Sequence, residues 1–117
     1  MSHPKLRCGH IYLVDLGDTV GAEMQKRRPA VVLNEDGMGR LPLRIVAPIT
    51  QWKKEYGEFE WMVHLDPGPP PHLHKESGVD CFQTRSISVE RVEDKIGEVP
   101  TEKMEEINAA LRLILGL

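Results

Sequence analysis

Two cysteines, Cys8 and Cys81, are all that the 117-residue chain holds. They lie too far apart to form a metal knuckle or a disulfide framework, so both are expected as free thiols of a reduced compartment. No apolar run approaches the ~18–20 residues of a membrane span, and Met1 to Arg7 lacks the apolar stretch of a secretory signal. A cytoplasmic protein without a membrane partner is expected. Internal repeats are absent, and the length suits a single domain over residues 1–117 with one core. An excess of positive charge is missing too: 15 Lys/Arg stand against 18 Asp/Glu, a formal net charge of −3. Overall charge therefore does not mark a nucleic-acid binder.

The charge is unevenly placed, however. Residues 1–58 carry nine Lys/Arg against seven Asp/Glu, and residues 59–117 six against eleven. Lys26, Arg27, Arg28, Lys53 and Lys54 concentrate the basic groups in the first half, which allows a local basic groove on a mildly acidic protein. At 40% apolar and 28% charged the composition is that of an ordinary globular chain.

Alternating or β-rich segments recur at 11–16, 30–34, 43–49, 59–65, 79–83 and 95–99, separated by Gly, Pro, Asn and Asp clusters. That pattern predicts a small antiparallel barrel or sandwich. The end of the chain changes period. Met104, Ile107, Leu111, Ile114 and Leu115 follow helical spacing, with Pro100-Thr101-Glu102 as the start and Gly116 as the stop. One C-terminal helix is expected to pack on the sheet, and Ser88 is expected to cap a single turn reaching Val92. Asp66-Pro67-Gly68-Pro69-Pro70-Pro71-His72 reads as a stiff exposed loop.

Arg28-Pro29-Ala30-Val31-Val32-Leu33 follows an alternating strand and a charged loop, and precedes Ala47-Pro48-Ile49-Thr50. A proline lacks the ladder N–H and suits a strand start, and it biases Arg28 to an extended backbone. A cation and a hydroxyl are thereby placed at strand ends. His72-x-His74 with His64 suggests a metal, but no third ligand has convincing spacing, so a surface histidine pair is expected and no metal or other cofactor.

Gly9-x-Ile11-Tyr12-Leu13-Val14-Asp15-Leu16, Val20-Gly21-Ala22-Glu23, Arg28-Pro29, Pro48-Ile49-Thr50 and Gln83-Thr84-Arg85-Ser86 occur in that order. Together they resemble the MazF/PemK family of toxin endoribonucleases over nearly the whole chain. The resemblance implies a mainly β α+β fold, a small SH3-like antiparallel barrel with a C-terminal helix. It also implies a sequence-specific, metal-independent endoribonuclease on single-stranded RNA, chiefly mRNA, that inhibits growth as the toxin of a type II toxin-antitoxin system. The implied assembly is a homodimer held in check by a MazE-like antitoxin.

The family's catalytic arginine falls on Arg28 and its threonine on Thr50. RNA supplies its own nucleophile, the 2′-hydroxyl, so the protein's task is orientation and charge stabilisation. A guanidinium fork suits phosphate oxygens, and a hydroxyl can donate to another. Because a guanidinium is a poor acid, the proton carrier is left open, with Glu23 one possible base that could instead pair with Lys26 or Arg27. Gln83, Thr84, Arg85 and Ser86 match a segment beside the family's RNA groove. Gln83, Arg85 and Ser86 are accordingly RNA-binding candidates with Lys26, Arg27, Trp52, Lys53 and Lys54. Arg85 could serve only as an ion-pair partner, and Trp52 as a core or dimer residue. Taken alone, Arg28 could be a surface ion-pair arginine and Thr50 a strand-end hydroxyl bonded to the backbone. Phe82 stands where the family often has an acid, and Ser86 where it often has threonine. The rival reading is a non-enzymatic growth inhibitor on the same barrel that binds a protein such as gyrase, for which Arg28 with Thr50 is not required.

Overall fold

In the computed structural model, which describes residues 6–36, 40–68 and 73–117, strand β1 (His10–Asp15) carries buried side chains on both faces. Ile11 is buried on one side and Tyr12 and Val14 on the other, as a strand inside a covered sheet requires. It pairs antiparallel with β2 (Arg27–Val32) on one edge and with β7 (Val92–Glu98) on the other. Strand β3 (Leu43–Gln51) then pairs with β2 through Val46, Ala47 and Pro48. Its outer edge is shared by two shorter strands: Leu43 to Val46 face β6 (Arg85–Ser88), and Ile49 to Gln51 face β5 (Ser77–Asp80). Strand β4 (Met62–Leu65) closes the series against β5.

The result is a seven-stranded antiparallel sheet in the order β4-β5-β3-β2-β1-β7, with β6 added to β3. The sheet is open, which corrects the closed form that a barrel implies: among the described residues its end strands β4 and β7 do not pair. Pro29 and Pro48 each pair on one edge, with Leu13 and Ala30, and lack a ladder partner on the other. Pro29 precedes the first β2–β3 pair at Ala30, and Pro48 lies where the outer edge of β3 passes from β6 to β5. Proline has no N–H to lose at such positions.

Two apolar clusters fill the two faces. One gathers Ile11, Val31, Ala47, Ile49 and Val79 under helix α1 (Thr101–Leu115), with Ile107 and Ala110 from the helix itself. The other gathers Tyr12, Val14, Ala30, Val32, Val46 and Ile87, covered by Leu6, Met24 and Val92. The expected helical stripe holds for Met104, Ile107, Leu111 and Ile114. Leu115 departs from it, being 65% exposed. The stripe centres on Ile107 and the small Ala110, and Leu115 falls at its margin in the last turn, before Gly116 ends the helix at φ 69°.

Short 3₁₀ turns join the strands. Lys54–Glu58 precedes β4, and Val89–Arg91 is capped by the Ser88 hydroxyl, which accepts from Glu90 N at 3.2 Å. Strand β5 ends at Asp80, earlier than the sequence pattern predicts, because the Asp80 carboxylate caps Cys81–Gln83 by accepting from Phe82 N at 3.1 Å. Strand β6, which carries Arg85 and Ser86, is absent from the predicted set: its four residues show only one strongly buried side chain, Ile87. Of the proline-rich loop, Asp66 to Gly68 are described and residues 69–72, His72 included, lie outside the described residues. Cys8 is exposed and Cys81 buried, both unpaired. Burial, and then the neighbouring Asp80 charge, push the Cys81 thiol up to about 12. No helix among the described residues is long and apolar enough to cross a membrane.

Candidate active site

Antiparallel pairing of Ala30 with Pro48 and of Val31 with Ala47 sets the register of β2 on β3. Continued by two residues, that register places Arg28 opposite Thr50, on the same face of the sheet. Both side chains border one open cavity of about 600 Å³, together with Lys26, His74, Lys75 and Ser77. Arg28 is half-buried, and its Nε donates to Gln25 O at 3.2 Å. Among the described residues no carboxylate pairs with its terminal nitrogens, and the Thr50 hydroxyl makes no hydrogen bond. Neither side chain is thus occupied in the way expected of a surface ion pair or a strand-end hydroxyl. A positive fork and a hydroxyl donor border the same space, and three further cations, Lys26, Arg27 and Lys75, line it.

The hairpin loop between β1 and β2 brings these groups to the rim. Leu16 N donates to Lys26 O at 2.8 Å and Lys26 N to Gly17 O at 2.9 Å, so the loop closes on itself at its base. Lys26 takes φ 67° there, a left-handed conformation that a lysine adopts only when the surrounding bonds hold it. Arg27 borders the same cavity but is tied to Glu93 of β7 by an ion pair. An exposed pair of this kind is worth about 0–1 kcal/mol, so Arg27 is easily released to another anion.

Glu23 lies elsewhere. Its Oε1 accepts from Val20 N at 2.9 Å, which closes a turn in the loop, and it borders a second cavity of about 380 Å³ with Met24, Pro48, Phe82, Gln83 and Arg85. Glu23 thus borders this second cavity and not the one that Arg28 and Thr50 line. Gln83 has its amide fully engaged: Oε1 accepts from Met24 N, and Nε2 donates to Ala22 O at 3.1 Å and to Asp80 Oδ2 at 3.3 Å. In this arrangement Gln83 holds the β1–β2 loop against the turn after β5. Arg85 borders the second cavity, with Nη1 3.5 Å from Leu16 O, and Ser86 is exposed on β6.

Trp52 is half-buried and continues the β3–β5 ladder past Gln51, its N donating to Glu76 O at 3.0 Å. Lys53 and Lys54 follow it as exposed side chains. His74 and Lys75 carry no site signal in the sequence, because a loop has no periodicity to place them; the pairing of β5 with β3, Gln51 opposite Ser77, brings them beside Thr50. The β4–β5 hairpin sets His64, Asp66 and Glu76 on one face, their ligand atoms within 4.8 Å of one another. The sequence showed no third ligand for His64, and strand pairing supplies two neighbouring carboxylates. His64 Nε2 meets Glu76 Oε2 at 2.7 Å and Nδ1 meets Asp66 Oδ1 at 3.8 Å, with Asp66 and Glu76 mostly exposed. This is the pattern of surface ion pairing.

Comparisons with known proteins give the family. The family model of the PemK-like, MazF-like toxins of type II toxin-antitoxin systems matches residues 7–115. The chain belongs to this family. It is 31% identical over 114 residues to the endoribonuclease MazF of Staphylococcus saprophyticus, covering 96% of this chain and 92% of that protein. The crystal structure of MazF (Form-I) from Deinococcus radiodurans superposes with a TM-score of 0.79 at 27% identity over the whole of both chains. The MazE-MazF structure (Form-III) from the same organism gives a TM-score of 0.73 at 26% identity, covering 97% of this chain and 99% of that one. Within this PemK/MazF-type toxin, Arg28 and Thr50 occupy opposed strand ends, and the loop that carries Lys26 and Arg27 overhangs them.

Proposed function

We propose that this chain is a sequence-specific, metal-independent endoribonuclease that cleaves single-stranded RNA in the cavity between Arg28 and Thr50. The observation that carries the reading is the shared cavity itself, where the terminal guanidinium nitrogens of Arg28 and the Thr50 hydroxyl have no hydrogen-bond partner among the described residues, the Arg28 Nε alone donating to Gln25 O. In the reaction the RNA 2′-oxygen attacks the adjacent phosphorus and the bond to the 5′-oxygen breaks, leaving a 2′,3′-cyclic phosphate and a 5′-hydroxyl. Arg28 spans two phosphoryl oxygens as their charge grows, and Thr50 donates to a third. Lys26 and Lys75 at the rim hold neighbouring phosphates as point charges. One proton must leave the 2′-oxygen and one must reach the 5′-oxygen. His74 is the imidazole among the described residues that line this cavity, and its two ring nitrogens can accept one proton and donate another, whereas Glu23 stands in the other cavity.

The family places the chain in a toxin-antitoxin pair. A cytoplasmic, homodimeric toxin that arrests growth by cutting mRNA, and that a MazE-like antitoxin silences, is the physiological reading we attach to it. The MazE-MazF pairing of the Deinococcus radiodurans structure supports that partner. A non-enzymatic gyrase-binding role on the same fold is not carried forward, since it gives Arg28 and Thr50 nothing to do.

Incubation of the purified protein with long single-stranded transcripts in EDTA, followed by mapping of 5′ ends, tests the reading. Discrete cuts that end in 5′-hydroxyls are expected. Intact RNA across several diverse transcripts, from a protein shown to be folded, overturns it.

A further inference from the structure

Five of the six Phe, Tyr and Trp residues of the chain form one connected series of rings. Phe82 meets Trp61 edge-on at 5.8 Å, and Trp61 stacks on Phe59 at 4.9 Å with the planes 5° apart. Phe59 meets Tyr56 at 6.2 Å, and Tyr56 meets Trp52 at 5.8 Å. None of the five rings is buried, and Phe82 is 66% exposed. Aromatic residues in a core would be enclosed. Here they make a track along the surface.

The track begins beside Thr50 and Gln51, which line the active cavity, although Trp52 itself does not. Thr50, Gly78 and His64 are cross-strand neighbours on one face of the sheet, and Trp52, two residues beyond Thr50, lies on that face too. Its ring is packed over Gly78 and edge-on to His64 at 4.7 Å. A Cβ at Gly78 would come within 3.0 Å of Trp52 Cε3 and 2.9 Å of Met62 Cε, so the glycine is what lets the ring lie down on the sheet. At the other end Phe82 borders the second cavity, next to Arg85. Charge marks both ends: Lys53 and Lys54 follow Trp52, and Arg85 stands beside Phe82. Between them Glu55, Glu58 and Glu60 are exposed, so the middle of the track has no attraction for phosphate.

We infer that this track is the seat of the nucleotides that flank the cut on one side, held by base stacking from Trp52 towards Phe82. The inference rests on the RNA reading above and names where the strand goes after it leaves Thr50. Base-on-ring stacking is indifferent to base identity and needs no local cation, which suits a series of rings with acidic neighbours.

The test uses an RNA with a mapped cut site, carrying a single 2′-deoxy substitution there so that it binds without turnover. A short oligonucleotide across the site is compared with versions extended on the 5′ side or on the 3′ side. The extension on one side only is expected to tighten binding by about 5- to 100-fold, with little added salt dependence. Abasic nucleotides in that extension, Phe82→Ala and Tyr56→Ala are each expected to remove most of the gain. A gain that survives the abasic extension and both variants overturns the inference. So does a Phe82→Ala protein that changes its mass in light scattering but keeps the gain, since a second copy would then cover the rings. Cutting by the parent with no gain from either extension sinks the track alone. A parent that neither binds nor cuts RNA sinks the nuclease reading and the track with it.

Discussion

Arg28→Ala is expected to lower the rate of RNA cleavage by about 10²- to 10³-fold or more, the usual cost of removing one donor aimed at developing charge. The fold should be nearly unaffected. Arg28 is half-buried at a strand end, and the bond from its Nε to Gln25 O is the one side-chain hydrogen bond it makes among the described residues, so the stability change should stay within about 1 kcal/mol. Thr50→Ala removes a neutral donor and should cost less than Arg28→Ala. The double variant should fall short of the product of the two effects, because both groups act on one phosphoryl centre. Single-turnover cleavage of an end-labelled RNA, beside circular dichroism of each variant, measures both quantities. A folded Arg28→Ala protein that cuts at the parent rate would remove Arg28 from the chemistry.

Ile107→Ala carries the largest expected loss of stability. Ile107 is fully buried where α1 lies on the sheet, among Ile11, Val31 and Ile49. Removing its branched chain should cost about 2–5 kcal/mol, the transfer of the lost methyl groups plus the cavity left behind. Against a total of about 5–15 kcal/mol that is a large share. Leu115→Ala on the same helix is the control: its side chain is 65% exposed, and the change should cost less than about 0.5 kcal/mol. Urea unfolding reads the difference as a fall in midpoint at constant slope. Equal losses for the two variants would mean that the helix packs by another face.

The helix and most strands were legible in the sequence because burial there is periodic: Ile11 and Val31 on one face, Tyr12 and Val32 on the other, Ile107 and Ile114 along α1. Strand β6 was not, because it is short and Ile87 is its one strongly buried side chain. The end of β5 was hidden for a local reason, since the Asp80 carboxylate turns the chain into a 3₁₀ turn where the apolar Val79 and Cys81 suggest a continuing strand. Arg28 and Thr50 stood out through local motifs, and they come together because the β2–β3 register, carried two residues past its last pair at Ala30 and Pro48, sets one opposite the other. Other site features depend on long-range closure. His74 reaches the cavity through the pairing of β5 with β3, and Glu23, whose carboxylate accepts from Val20 N, borders the other cavity. Gln83 looked like a base reader, yet its three hydrogen bonds to the β1–β2 loop and Asp80 give it a structural task that no local pattern announces. The ring series is of the same kind, since Trp61 and Phe82 meet through tertiary packing across β4 and the turn after β5.

The central claim is that the RNA's own 2′-hydroxyl is the nucleophile, with Arg28 and Thr50 arranged around the phosphate it attacks. The most direct measurement is the cleavage rate of an oligonucleotide that carries one 2′-deoxy nucleotide on the 5′ side of a mapped scissile phosphate, in EDTA, beside the all-ribose parent. Cleavage at that phosphate should vanish while binding persists. Continued cutting at the deoxy position would show that water or a protein group attacks instead, and would contradict the claim.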